Sequence, residues 1–177
     1  MTKGSRAWLS KLAAAFCYAL VSVSGPANAA GPEPLLTEAK SVQVNTKPFD
    51  RFQIGRNVRT FGPLTFLGGL ELISADRNVG GLSGLLSLDH GNGMLAVTDN
   101  GLWFAADIRQ DEQGTPLGIG NPRYTPMLGP KGETLRASWR HDTEAVTIDG
   151  DSLLVSAEQV NSIFRYPWPL ATGKERM

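Results

Sequence analysis

Four acids carry the chemistry this chain offers: Asp99, Asp142, Glu144 and Glu158. Asp99 directly follows the apolar run Met94 to Thr98. Glu158 closes the run Leu154-Val155-Ser156-Ala157, and Asp142 and Glu144 stand at the start of a third run. Carboxylates placed alike at strand ends can meet when the strands share one rim, however far apart they are in sequence. Converging carboxylates and carbonyls suit a hard cation such as Ca²⁺, which takes roughly six to eight oxygens. The expected metal ligands are therefore Asp99, Asp142, Glu144 and Glu158. A plainer role fits each acid singly: Asp99-Asn100-Gly101 spells a turn, and Asp142 and Glu144 suit solvent.

The histidines are His90 and His141. His141, beside Asp142 and near Glu144, suits acid–base work or metal ligation, with a structural role as the alternative. His141 and Glu144 are the expected catalytic residues. His90 sits in a Gly/Asn turn and is expected to be an exposed loop residue. Ser83 in Gly81-Leu82-Ser83-Gly84-Leu85 resembles a nucleophile elbow but fails it, because G-x-S-x-G needs glycine where Leu85 stands. A serine hydrolase of the α/β type is not expected on that ground. Trp103, Trp139, Trp168 and Tyr166 are expected to wedge strand units together.

These residues sit on a repeated unit. One copy runs from Gly80 to Ile108 and the other from Asp142 to Tyr166, and aligning Ser83 on Thr143 gives a repeat of 143 − 83 = 60 residues. Each copy reads as strand, turn, strand ending in an acid, short link, strand. The strands are expected at 83–88, 94–98 and 102–108, then at 145–148, 153–156 and 163–166. A further strand is expected over 49–54, one strand or a tight pair over 64–75, and an outer strand near 124–128. Several short strands per repeat predict an all-β chain of the β-propeller kind. Four blades at this spacing would need about 240 residues. The chain is therefore expected to be a truncated propeller of two to three blades, the N-terminal part of a longer protein with C-terminal blades missing.

The N-terminus spells an address. Lys3, Arg6 and Lys11 precede the apolar run Leu12 to Val23, and Ala27-Asn28-Ala29 forms a cleavage signal. The run is shorter than the roughly 20 apolar residues a resident span needs. A signal peptide over 1–29, an arm and first strand over 30–60, and a partial propeller over 61–177 follow, with the protein periplasmic or secreted. Cleavage would leave 177 − 29 = 148 residues with 14 Lys+Arg against 17 Asp+Glu, a net charge near −3. Neither nucleic acid nor, after cleavage, a membrane is expected as partner. Cys17 lies inside the leader, so disulfides, thiolate zinc sites and cysteine catalysis are excluded from the mature chain.

In order and spacing the residues from about Phe61 to Tyr166 resemble the phytase-like domain family, described by esterase-like activity of phytase. The resemblance rests on Leu67-Gly68-Gly69-Leu70, Gly80-Gly81-Leu82-Ser83-Gly84-Leu85 and Ala96-Val97-Thr98-Asp99 with Gly101 and Trp103. It continues through Asp142-Thr143-Glu144-Ala145 and Leu154-Val155-Ser156-Ala157-Glu158. It implies an exported β-propeller hydrolase of ester or phosphate-ester bonds and, by analogy with propeller phytases, Ca²⁺. Family members commonly carry arginine where this chain has Asn100, and basic residues where it has Gln159-Val160-Asn161. Losing those cations weakens a grip on phosphate, so a neutral ester or another ligand gains over phytate. The rival expectations are a non-catalytic periplasmic binding or scaffold propeller, and a truncated product without activity of its own.

Overall fold

The computed structural model describes residues 35–177, and the leader expected over 1–29 lies outside them. In chain order the strands are β1 (Lys40–Ser41), β2 (Asn45–Phe49), β3 (Thr60–Phe61), β4 (Leu64–Thr65), β5 (Gly69–Ile73), β6 (Leu82–Leu88), β7 (Gly93–Thr98) and β8 (Leu102–Gln110). They continue with β9 (Pro116–Pro126), β10 (Thr143–Asp149), β11 (Ser152–Ala157) and β12 (Ser162–Pro167). Among the described residues the only helical piece is a single turn at Asp89–Gly91. No helix there is long and apolar enough to cross a membrane. The described residues are all-β, as the repeated short-strand unit predicts.

The largest sheet is antiparallel with the order β1-β9-β8-β7-β6. Its middle strands are apolar on both faces, which is why Gly93 to Thr98 reads as an almost unbroken apolar run. Leu95, Val97, Trp103 and Ala105 face one core, shared with Leu153, Val155, Phe164 and Tyr166 of the sheet β10-β11-β12. Met94, Ala96, Leu102, Phe104 and Ala106 face a second core, against which Leu70 and Leu72 of the β2-β5 sheet pack. The five-stranded sheet is thus the middle layer of three.

Two contacts tie the middle layer to β10-β11-β12. Trp103 meets Tyr166 edge to face with ring centroids 5.1 Å apart, both side chains fully buried. Burying a side chain of this size contributes about 1.5–3 kcal/mol. At the other contact β6 and β10 come so close that a Cβ on Gly84 would lie 2.8 Å from Ala145 Cα and from Val146 N. The wedge expectation holds for Trp103 and Tyr166, and Trp168 packs half-buried on the same core. It fails for Trp139, which is 72% exposed.

The two repeats are one unit built twice, with a register the sequence alignment misses by one residue. Each first strand carries a bulge: the pairing shifts between Leu82 and Gly84 against β7, and between Thr143 and Ala145 against β11. Ser83 and Glu144 are the two bulge residues, so the counterpart of Ser83 is Glu144 and not Thr143. The offset between copies is 143 − 82 = 61 on the first strand. It is 157 − 98 = 59 on the second and 162 − 102 = 60 on the third. The differences lie in the hairpin loops, four residues (89–92) against two (150–151), and then three (99–101) against four (158–161).

Elsewhere the strands depart from expectation. The strand expected over 49–54 falls at β2, and the outer strand expected near 124–128 is the longer β9. Gly118, Gly120, Asn121 and Pro122 make β9 look like loop. They sit opposite register shifts on β8, and Asn121 takes the left-handed φ of 48° that such irregularities use. The expected arm is bound to the body: β1 pairs with β9, and Leu36 N–H and Thr37 N–H donate to the carbonyls of Leu170 and Ala171, each at 2.9 Å.

Candidate functional site

At the end of the sheets where β6 and β10 begin, each repeat presents a station of three residues. These are one in left-handed backbone before the first strand, the bulge residue, and the acid after the second strand. In the first copy they are Gly81, Ser83 and Asp99; in the second, Asp142, Glu144 and Glu158. Gly81 has φ 57° and Asp142 φ 71°, so the same turn is made by glycine in one copy and by aspartate in the other. Aspartate is among the few residues that visit this region with tolerable strain.

The stations are filled differently. In the second, one carboxylate oxygen from each of Asp142, Glu144 and Glu158 lies within 4.8 Å of the others. In the first, Ser83 Oγ donates a short hydrogen bond to the Asp99 carboxylate. A Cβ on Gly81 would come 2.5 Å from Asp99 Oδ2. The Asp99 carboxylate thus occupies the space that a side chain at the counterpart of Asp142 would need. Three of the four expected ligands converge; Asp99 stands outside the cluster because Ser83 holds it.

Asp99 reaches the cluster through its backbone. Asp99 N–H donates to Gly81 O at 3.0 Å, Asp142 N–H to Asp99 O at 2.7 Å, and Glu158 N–H to Asp142 O at 3.0 Å. Beside this relay Thr143, fully buried, donates from Oγ1 to Thr98 O at 2.6 Å. Two of the three clustered acids, Asp142 and Glu158, are thus tied by a backbone hydrogen bond, and Asp142 is tied in turn to Asp99.

His141 is half-buried next to Asp142, and its Nδ1 is buried with no hydrogen-bond partner among the described residues. Its ring lies 6.3 Å from that of Trp139 and contributes no atom to the carboxylate cluster. His90 is exposed, at φ 53°, as a loop residue would be. Trp139 is itself left-handed, with φ 55°.

Glu144 and Glu158 also wall a cleft of about 500 Å³ that includes Ser156, Asn161, Ser162 and Ile163. No lysine, arginine or histidine lines it. An anion entering it would meet only acids, whereas a cation or a neutral polar molecule would not be repelled. Oxygens bound at roughly 2.3–2.6 Å on opposite sides of one hard cation such as Ca²⁺ stand at most about 5 Å apart. The observed 4.8 Å lies within that limit. Ser83 and Gly81 as counterparts of Glu144 and Asp142 escaped the sequence, because a bulge is invisible without its partner strand.

A family model described as Phytase-like, esterase-like activity of phytase, matches residues 77–176. No curated protein and no solved structure matches.

Proposed function

This chain belongs to the Phytase-like family, and on that premise we propose that it is an exported hydrolase of ester or phosphate-ester bonds. Its site would be the rim of a β-propeller whose neighbouring blades are β6–β9 and β10–β12. The observation that carries the proposal is the convergence of Asp142, Glu144 and Glu158 within 4.8 Å at the edge of an open cleft. Those three residues would hold Ca²⁺, which when bound supplies Lewis acidity to the ester oxygen and to water. Glu144, which both belongs to the cluster and lines the cleft, is placed to take a proton from an attacking water. His141, next in chain to Asp142, would give its own proton to the leaving group and be reprotonated from solvent, while Glu144 releases the proton it took. Asp99 would act through its backbone, its carbonyl holding the peptide of Asp142. A cleft without a basic residue favours a neutral ester over a phosphate.

The test is hydrolysis of aryl esters and aryl phosphates with and without EDTA. The expected result is ester hydrolysis that EDTA abolishes and CaCl₂ restores, lowered roughly 100-fold or more by Glu144→Ala. Activity indifferent to both EDTA and Glu144→Ala would sink the proposal.

A further inference from the structure

A second cavity lies on the opposite side of the middle layer. It measures about 520 Å³ and opens between β5 and the face of β6, β7 and β8. Leu70, Leu72, Leu82, Leu85, Met94 and Ile119 line it, and no charged residue does. Its volume falls in the range of small-molecule sites, which are mostly apolar with a few polar groups that fix orientation.

The polar groups of the lining include two peptide N–H groups. Gly80 and Gly81 belong to the lining, and their peptide N–H groups donate to no acceptor among the described residues. A Cβ on Gly80 would meet nothing within 4 Å, so this stretch of backbone is open. Two successive peptide donors beside an uncharged apolar cavity match a molecule with an apolar body and one accepting oxygen. An ion would leave its charge desolvated there, at a cost of several kcal/mol or more.

We propose that this cavity binds a small neutral molecule by its acyl or aryl portion, with one accepting oxygen on the N–H groups of Gly80 and Gly81. The binding stands on the cavity alone; calling the bound molecule a substrate rests on the hydrolase reading above. The cavity meets the acidic station through the backbone, since Gly81 accepts from Asp99 and Asp99 from Asp142.

The experiment titrates the full chain with phenylnaphthylamine, a neutral apolar fluorophore, and compares hydrolysis of nitrophenyl acetate, butyrate and hexanoate. Leu85→Glu places a charge in the cavity at a residue already 57% exposed, so the core is spared. Leu72→Trp fills the cavity without adding charge. Saturable one-to-one binding, weakened about tenfold or more by both substitutions in proteins that still melt cooperatively, is the expected result. Faster hydrolysis of the longer acyl chains, levelled by the same substitutions, assigns the molecule as substrate. Probe binding with no turnover of any ester defeats the hydrolase reading and leaves the site standing. Absence of saturable binding, or binding that survives both substitutions, overturns the site even if acetate is hydrolysed. A dimer that Leu85→Glu converts to monomer overturns it as well, because a second copy is then the occupant.

Discussion

The peptide N–H of Asp142 donates to the carbonyl oxygen of Asp99 at 2.7 Å. The bond joins the start of one strand unit to the turn of the other, so Asp99, whose carboxylate stands outside the acidic cluster, fixes the backbone of an acid inside it. Residue type at position 142 consequently matters twice, for its carboxylate and for its left-handed backbone.

Asp142→Gly keeps the turn, since glycine takes φ 71° without strain, and removes one of three mutually repelling charges. Its melting temperature in EDTA is expected at or above that of the unaltered protein. Saturating Ca²⁺ should raise only the unaltered protein, by about 2.7 kcal/mol at one hundred times the dissociation constant. Asp142→Val, which keeps neither function, is expected to cost about 1–2 kcal/mol from left-handed strain. An equal Ca²⁺ shift in Asp142→Gly would remove this residue from the ligand set.

Gly84 is where β6 touches β10, and an added methyl has only backbone atoms to push against, 2.8 Å away. Gly84→Ala is expected to destabilise by roughly 1–3 kcal/mol in urea unfolding. Unchanged stability would show that the two strands can separate freely at this point.

Tyr166 Oη and Trp103 Nε1 are buried in the same core with no hydrogen-bond partner among the described residues. Burial pushes the Tyr166 hydroxyl's pKa well above its ordinary range. An unpaired buried hydroxyl costs about 1–3 kcal/mol. Tyr166→Phe is therefore expected to leave stability unchanged or raise it by about 1 kcal/mol in thermal melts, while keeping the aromatic contact. A loss of stability of similar size would reveal a bridging water on that hydroxyl.

Asp76 fastens β1 and β9 together. Its carboxylate accepts from Asn78 N–H at 3.0 Å, Lys40 Nζ at 3.1 Å and Tyr124 Oη at 3.0 Å. The Asn78 peptide first, then the Lys40 ammonium, lower its pKa to about 2. Because that pKa is lower folded than unfolded, its stabilisation is fully present above about pH 4 and is lost as pH falls toward about 2. Asp76→Asn is expected to flatten the fall in stability across that window, measured by acid titration of the melt. A curve of unchanged slope would discount the contact.

The strands of the two repeats were legible to within two residues at each end because alternating and continuous apolar runs report their own burial. Leu95 and Val97 against Met94 and Ala96 are the plainest case. Pairings between distant segments were not legible: nothing local to Lys40 announces Tyr124 as its neighbour 84 residues on. The convergence of Asp142, Glu144 and Glu158 could be anticipated because strand ends of repeated units fall together in space. The exclusion of Asp99 could not, because it depends on Ser83, a residue whose outward turn is set by a bulge. Glu144 was aligned one place away from its counterpart for the same reason.

The three backbone hydrogen bonds from Gly81 through Asp99 and Asp142 to Glu158 run as one seam from the apolar cavity to the acidic cleft. Asp99 and Asp142 each serve in it twice, once through the N–H and once through the carbonyl, so two openings lined by different chemistry share one thread of backbone.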